Sequence, residues 1–198
     1  MTKIIGLTGG IGSGKTTIAN YFHSCGIPIY IADDEAKKLM QSSEIVAAVK
    51  STFGDIVFEN GNINREKLAE IVFNEPFKLA ELNAIVHPAV KRHFKQWLLE
   101  NEAAAYIVYE TAILFESGSY KDCDLIITIT APVETRIQRV LKRDKTTREA
   151  ILKRMDAQWS DEKRTSKSDF VVENSTIENA KREVDQILKI LKIKQKHT

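Results

Sequence analysis

Cysteine and long hydrophobic runs are scarce in this chain of 198 residues, and each scarcity excludes a class of protein. The 2 cysteines, Cys25 and Cys123, have no CxxC spacing and no histidine at zinc-ligand spacing, so neither a disulfide scaffold nor a zinc module is expected. No apolar run reaches the roughly 20 residues of a transmembrane helix. The first apolar run is too short for a signal peptide. We therefore expect a cytoplasmic protein with reduced thiols and no membrane contact.

An excess of charge of one sign is also lacking. The chain has 29 basic and 27 acidic residues, a net charge of +2, which is too balanced for a general nucleic-acid binder. Its hydrophobic fraction of 43% is ordinary for a globular protein, and neither repeats nor low-complexity linkers interrupt it. The sequence predicts one folded domain with no nucleic-acid partner, acting as a monomer or weak homo-oligomer.

Short apolar segments alternate with amphipathic ones. The predicted strands are residues 3–8, 27–31, 105–109, 124–129 and 170–172. The predicted helices are residues 15–22, 33–40, 43–53, 65–73, 75–99, 133–142 and 177–193, with a break expected at His87-Pro88 and a turn at Asn60-Gly61-Asn62. Nearly continuous apolar strands are typical of a parallel sheet covered on both faces. The pattern predicts an α/β fold with a parallel sheet of about five strands flanked by helices.

The motif that points to chemistry is Gly9-Gly-Ile-Gly-Ser-Gly-Lys-Thr16, which fits G-x-x-x-x-G-K-[ST] between a predicted strand and a predicted helix. We call residues 9–16 the phosphate loop. Glycines let successive backbone N–H groups turn toward a phosphate, and the following helix adds its positive end. Lys15 is expected to reach the β- and γ-phosphates of a nucleoside triphosphate, and the Thr16 hydroxyl to ligate Mg²⁺.

Other nucleotide-binding classes fit less well. A dinucleotide-binding G-x-G-x-x-G would need glycine where Lys15 or Thr17 stands. A GTPase would show D-x-x-G, and no glycine has Asp three residues before it. A motor ATPase would carry an apolar strand that ends in an acid; Glu110 is the nearest candidate and could lie beside the Mg²⁺. A small-molecule kinase remains the favoured class.

Such a kinase needs a carboxylate for the acceptor hydroxyl. Asp33 and Asp34 follow the second predicted strand, at the edge of the sheet where ligands bind in open α/β folds. An N-cap on the following helix is the alternative role for either residue.

A kinase also needs arginines for the transferring phosphoryl group. Residues 136–167 hold eleven basic and five acidic residues in a chain of net charge +2. Arg139 and Arg143 lie four residues apart, so one helical face carries both. This segment is interpreted as a lid over the phosphates, with a solvated helical face as the alternative.

The whole chain resembles the dephospho-CoA kinases, P-loop kinases of coenzyme A synthesis. The resemblance covers residues 7–16, 31–33, 82–88, 114–116, 139–144 and 169–174, and the Leu-Asn-x-x-x-His-Pro and Leu-Phe-Glu segments are its specific parts. It implies ATP- and Mg²⁺-dependent phosphorylation of the ribose 3′-hydroxyl of dephospho-CoA. It also implies a core of residues 1–32, 101–135 and 168–198, a helical substrate subdomain of residues 33–100, and a lid of residues 136–167.

The resemblance also assigns roles to single residues. It favours Asp33 as the catalytic base, although Ile31 replaces the first Asp of the family's segment. It implies Lys15 and Arg139 as further catalytic residues. Its substrate residues are His87, Leu114, Phe115 and Glu116; the alternatives are a helix end for His87 and ordinary core positions for Leu114 and Phe115. The nucleotide ligands are Gly10, Ile11, Gly12, Ser13, Gly14, Lys15, Thr16, Thr17, Arg143 and Asn174, the last at the adenine.

One further departure from the family pattern affects a turn. Ala112 stands where the family often has a proline, which leaves the shape of that turn open. Two other functions are also kept: a different small-molecule kinase, acting on a nucleoside, gluconate or shikimate, and a regulatory NTP-binding protein without an acceptor.

Overall fold

The computed structural model describes residues 2–196, without the side chains of Phe73 and residues 192–196. In chain order the elements are β1 (Lys3–Gly9), α1 (Lys15–Ser24), β2 (Ile29–Ile31), α2 (Ala32–Leu39), α3 (Ser43–Phe53), β3 (Phe58–Glu59), β4 (Asn62–Ile63), α4 (Arg65–Asn74), α5 (Pro76–Glu100), β5 (Tyr106–Glu110), β6 (Leu125–Thr130), α6 (Val133–Arg143), α7 (Arg148–Asp156), α8 (Asp161–Thr165), β7 (Phe170–Glu173) and α9 (Ile177–Lys196). Single 3₁₀ turns lie at Asp55–Val57 and Ser119–Asp122. Contacts divide the chain into two compact units: residues up to Ile31 together with those from Asn101 onward, and Ala32–Glu100.

A parallel sheet of five strands forms the centre of the first unit. Its order is β2-β5-β1-β6-β7, and every neighbouring pair is parallel. β1 lies in the middle, with Leu7 opposite Glu110 of β5 on one side and opposite Ile127 of β6 on the other. The predicted α/β fold with a parallel five-stranded sheet is confirmed, and all five predicted strands are present within one or two residues of their expected ends.

The core of this unit explains the apolar strands. Ile5, Leu7, Ile127 and Ile129 are fully buried, and Phe22 of α1 belongs to the same cluster. Helix α9 contributes further buried residues to it, including Val184 and Ile187. Because each large apolar side chain contributes about 1.5–3 kcal/mol when fully buried, the sheet centre supplies a rigid base for the loops at its edge.

The second unit is helical with a small hairpin. Its core contains Ile45, Val49, Val57, Leu68 and Ala89, drawn from α3, α4, α5 and a 3₁₀ turn. Strands β3 and β4 pair antiparallel around the expected turn, where Asn60 has φ 51° and Gly61 has φ 79°. Asn followed by Gly suits this two-residue turn because both residues adopt left-handed backbone at low cost.

One helix prediction is wrong. The break expected at His87-Pro88 does not occur, because α5 continues from Pro76 to Glu100 with Pro88 inside it. Proline removes one backbone hydrogen bond and costs about 3 kcal/mol in a helix interior. The residues that follow it, Ala89, Val90 and Phe94, are buried, and α5 packs against α2, α3 and α4. Tertiary packing therefore outweighs the local cost, and His87 does not end a helix.

Candidate active site

The phosphate loop connects the centre of the sheet to helix α1. Gly12 and Gly14 have φ values of 77° and 92°, and Gly14 is the N-cap of α1. The Ser13 N–H donates to the Gly10 carbonyl at 3.1 Å, and Lys15 Nζ donates to the same oxygen at 3.4 Å. The lysine ammonium therefore lies across the concave side of the loop.

This geometry fits an anionic ligand. The first N–H groups of a helix have no intrahelical acceptor, Gly14 has no side chain to cap them, and the first turn of α1 has no acid. Thr16 and Thr17, the remaining predicted ligands in that turn, are exposed. A Cβ added to Gly10 or Gly14 would overlap the end of the Arg136 or the Asn174 side chain, so a larger residue would displace side chains that hold the loop. The arrangement is that of a phosphate cradle at a helix N-terminus.

The donor set for a metal is small. Among residues 2–196, no group of three or more His, Cys, Asp and Glu side chains is arranged to hold a metal ion. Mg²⁺ in nucleotide sites keeps several waters and takes substrate phosphates with only one or two protein ligands. The exposed Thr16 hydroxyl at the open end of the loop suits that mode of binding. Glu110, the other candidate beside the metal, is 2% exposed at the end of β5.

Arg139 and Asn174 hold the far side of the phosphate loop. The Ser13 carbonyl accepts from Asn174 Nδ2 at 2.8 Å and from Arg139 Nη1 at 3.5 Å. Arg139 Nη2 also donates to the Asn174 carbonyl at 2.9 Å. These bonds bring together three residues that are far apart in sequence. Asn174 is 3% exposed, so its observed role is to hold the loop; contact with adenine stays a prediction.

Arg143 is in a different environment from Arg139. It lies at the end of α6 with its side chain 67% exposed, and both its Nε and Nη2 donate to the Asp144 carboxylate, at 2.8 and 3.0 Å. The guanidinium lowers the pKa of the Asp144 carboxyl. Among the described residues its side-chain hydrogen bonds go to Asp144, so nucleotide contact by Arg143 stays a prediction.

Sequence reasoning missed a second set of loop contacts. Arg136 is 5% exposed and donates through Nε to the Ile11 carbonyl at 2.8 Å. The Ile11 N–H donates to Gln158 Oε1 at 2.9 Å, so both backbone groups of Ile11 are held. The signal for Arg136 is its position three residues before Arg139, on the same face of α6. The role of Gln158 has no local signal.

The Leu-Phe-Glu segment, residues 114–116, lies in the same unit. Leu114 is fully buried and Phe115 is 4% exposed, in a cluster with Ile126. Phe115 stacks on Trp159, with ring centroids 5.2 Å apart. Glu116 Oε1 accepts from the Trp159 N–H at 2.9 Å. Leu114 and Phe115 are thus core residues here, and substrate contact by this segment stays a prediction.

The turn before this segment has a defined shape. The Thr111 N–H donates to the Leu7 carbonyl at 3.1 Å, and the Ile113 N–H donates to Thr111 Oγ1 at 3.4 Å. The threonine hydroxyl thereby closes the turn in which Ala112 replaces the family's proline. Ile31, the other departure, ends β2 opposite Glu110.

The remaining predicted residues belong to the helical unit. Asp33 lies in the first turn of α2, which begins at Ala32, so it is not the N-cap of that helix. Asp34 beside it is exposed and pairs with Lys37 at 2.8 Å. His87 lies inside α5 with an exposed side chain, and partial desolvation lowers its pKa from the ordinary value. The imidazole is therefore neutral at pH 7.

Comparison with known proteins agrees with this geometry. The family model described as CoaE, dephospho-CoA kinase, matches residues 3–179. A dephospho-CoA kinase from Fusobacterium nucleatum is 42% identical over 174 residues, covering 87% of this chain and 90% of the relative.

Two solved structures match nearly the whole chain. The Thermus thermophilus protein TT1252 has a TM-score of 0.88 at 32% identity, covering 96% of this chain and 97% of that one. A Campylobacter jejuni dephospho-CoA kinase has a TM-score of 0.69 at 26% identity, with 96% and 98% covered. The family match includes every residue of the candidate site, from the phosphate loop to Asn174. The chain therefore belongs to the dephospho-CoA kinase family.

Proposed function

We propose how the residues of this chain perform its family's reaction. The chain is a kinase that transfers a phosphoryl group from ATP to the 3′-hydroxyl of dephospho-CoA, giving coenzyme A and ADP. The observation that carries the proposal is the family match over residues 3–179, together with a phosphate loop whose geometry fits a triphosphate.

The nucleotide is bound by residues Gly10 to Thr17. Support comes from the left-handed glycines, the open N-terminus of α1 and the ammonium of Lys15 across the loop. Thr16 is the residue that would hold Mg²⁺, which when bound neutralises charge on the phosphate oxygens. Backbone N–H groups fixed in advance stabilise developing charge without reorganising during the reaction.

Asp33 is the base that orients or accepts the proton of the acceptor hydroxyl. Its position directly after β2, in the first turn of α2, supports this assignment. Asp34 is the weaker candidate because Asp33, and not Asp34, matches the second acid of the family's segment; Asp34 pairs with Lys37 at the surface.

Positive side chains stabilise the transferring group. Lys15 and Arg139 are the first candidates because both bond to the backbone of the phosphate loop. Arg143 has an exposed guanidinium at the end of α6, so a movement of the exposed residues around it would bring it to the nucleotide. In this proposal residues 136–167 form the lid: the buried Arg136 and Arg164 anchor it, and its exposed part excludes water when it closes.

The other parts of the chain have complementary roles. Residues 33–100 form the dephospho-CoA subdomain, and the remainder outside the lid forms the nucleotide-binding core. His87 and Glu116 are the proposed contacts of the acceptor, the buried Leu114 and Phe115 support Glu116 from the core, and Asn174 adjoins the adenine. We further propose a cytoplasmic enzyme, a monomer or weak homo-oligomer, without nucleic-acid or membrane partners. Within residues 2–196, none of the helices has the length and apolar character that a bilayer crossing requires.

The deciding experiment measures ADP release with ATP and a panel of acceptor alcohols. Dephospho-CoA should stimulate release strongly and yield coenzyme A by mass spectrometry, while shikimate, gluconate and nucleosides leave the rate near its background. Lys15→Ala is the control, because losing the ammonium weakens both phosphate binding and turnover. Stimulation by another alcohol alone would identify a different kinase. Slow hydrolysis unaffected by any acceptor would identify a regulatory NTP-binding protein.

A further inference from the structure

Asp161, the first residue of α8, bonds to two buried arginines. Its Oδ2 accepts from Arg136 Nη1 at 2.7 Å, and its Oδ1 accepts from Arg164 Nη1 at 3.0 Å. The side chain of Arg136 is 6% exposed and that of Arg164 is 1% exposed. Because a buried guanidinium is costly unless it is paired, this one carboxylate is a charged partner that both arginines share.

The first arginine holds the phosphate loop. Arg136 Nε bonds to the Ile11 carbonyl, and its guanidinium fills the space that a Cβ on Gly10 would need. Its backbone also lies against Gly12, where an added Cβ would stand 2.5 Å from the Arg136 carbonyl oxygen. Arg136 therefore contacts the loop through both its side chain and its backbone.

The second arginine holds residues 114–116, which we call the acceptor segment. Arg164 Nη2 lies 3.7 Å from Glu116 Oε1. The same oxygen accepts from the Trp159 N–H, two residues before Asp161, and the Trp159 ring stacks on Phe115. The stretch from Trp159 to Arg164 thus holds the Glu116 carboxylate through the Trp159 N–H and Arg164. Through Asp161 it also holds Arg136, which bonds to the phosphate loop.

We infer that Asp161 is a positioning residue that, through Arg136 and Arg164, holds the phosphate loop and the acceptor segment in a fixed relative position. The inference rests on the proposed function in one respect, the contact of the acceptor segment with dephospho-CoA. Phosphoryl transfer needs the attacking oxygen and the γ-phosphate in line and nearly in contact. Relative movement of the two subsites therefore slows the transfer. A single carboxylate serving both arginines means that its loss loosens both subsites together.

The test compares Asp161→Asn with Glu162→Gln. Both acids lie in the first turn of α8, but Glu162 is exposed, so the control removes the same charge without touching either arginine. Asp161→Asn should raise the KM of ATP and the KM of dephospho-CoA by about fivefold or more each, the scale of ordinary site-to-site coupling. Asp161→Glu should restore part of both, and Glu162→Gln should stay within about twofold of the unchanged chain.

A purely structural Asp161 would give a different result. If Asp161→Asn lowers the unfolding temperature but leaves both KM values unchanged, or raises only one of them, the inference is wrong. Should this variant fail to fold, Arg136→Lys and Arg164→Lys test the two connections separately. The first must raise the KM of ATP alone and the second that of dephospho-CoA alone; absence of either shift overturns the inference.

Failure of the proposed function would be seen separately. If the unchanged chain forms no coenzyme A from dephospho-CoA, the role at the acceptor segment is refuted with that function. ATP binding without acceptor then still tests the role at the phosphate loop: weaker binding to Asp161→Asn than to Glu162→Gln supports it, and equal binding refutes it.

Discussion

At the scale of the residue, three arginines on α6 show how environment divides roles among identical side chains. Arg136 is buried against the loop, Arg139 bonds to two loop-side carbonyls, and Arg143 is exposed with Asp144. A guanidinium suits the first two positions because its planar set of donors can satisfy several carbonyl and carboxylate oxygens at once. Replacing Arg139 by lysine would keep the charge but lose one of its two bonds.

The residue-scale prediction concerns Asp33. Asp33→Asn removes the carboxylate that would orient or accept the proton of the 3′-hydroxyl, and kcat should fall by about 10²–10⁴-fold, the usual contribution of a general base. The KM of ATP should stay within about twofold, because the phosphate loop is unchanged. Steady-state kinetics with both substrates varied measure the two effects.

Asp34→Asn is the matched control for that experiment. Asp34 shares the first turn of α2, so both variants remove one charge near the same helix N-terminus. Its pair with Lys37 is exposed, and such surface pairs contribute only about 0–1 kcal/mol. Equal losses of kcat in the two variants would remove Asp33 from the role of base.

Residue identities were predictable from the sequence only where a local pattern marks them. The loop glycines, Lys15 and Thr16 follow from one motif, and Arg139 follows from its helical spacing in a basic segment. Asp161 could not be found in this way. Its partner Arg136 lies on α6, and its other partner, Arg164, lies beside Glu116, so these groups meet only after distant segments fold together. An isolated Asp at the start of a helix predicts only a favourable interaction of its charge with the helix dipole.

At the scale of the element, the phosphate loop and α5 show opposite relations between local sequence and structure. The loop follows its local sequence, since glycine alone tolerates the backbone angles at positions 12 and 14 without strain. Helix α5 overrides its local sequence, since Pro88 lies within it. Burial decides which outcome occurs. The residues that follow Pro88 pack into a hydrophobic core, and a short stretch of sequence does not show which residues will be packed in this way.

The element-scale prediction concerns Gly12. Gly12→Ala places a Cβ 2.5 Å from the Arg136 carbonyl oxygen, at a residue with φ 77°. The left-handed strain alone costs about 1–2 kcal/mol. The overlap with backbone must also shift the loop, so the Kd of ATP should rise by about tenfold or more, as expected for a small displacement at a positioned site. Titration with a non-hydrolysable ATP analogue measures it.

Gly26→Ala separates strain from overlap. Gly26 has φ 83°, nearly the same backbone, but an added Cβ meets nothing within 4 Å. This variant should lose a similar part of its stability in thermal unfolding while binding the ATP analogue normally. An equal loss of nucleotide affinity in both variants would show that strain, not the contact with Arg136, accounts for the effect.

At the scale of the whole molecule, the strand order lies beyond the sequence. The number and parallel direction of the strands follow from their apolar character and the helices between them. Their order is fixed by pairings such as Ile4 with Ile107 and Ile127 with Phe170, which are distant in the chain. Neither residue type nor spacing distinguishes one apolar strand as the neighbour of another. The balanced net charge similarly hides the basic segment of residues 136–167.

The whole-molecule prediction concerns acid stability. Partial desolvation lowers the pKa of His87 below its ordinary value of 6.5, so the folded chain resists a proton that the unfolded chain accepts, and the effect is small because the side chain is exposed. The stability from neutral His87 is complete above pH 6.5 and is lost as the pH falls through the lowered folded pKa. The unfolding temperature should therefore decrease between pH 7 and pH 5, and His87→Gln should flatten that decrease because glutamine does not titrate.

His23→Gln is the control for acid stability, because it replaces a histidine in the last turn of another helix, α1, and a change of slope common to both variants is not caused by the environment of His87. Keeping the pH at 5 or above limits the contribution of carboxylates, whose ordinary pKa values lie near 4. If His87→Gln retains the full decrease, other groups cause it and desolvation of the imidazole has no measurable cost. If the decrease is flattened, α5 holds a partly desolvated, neutral imidazole at the cost of acid stability.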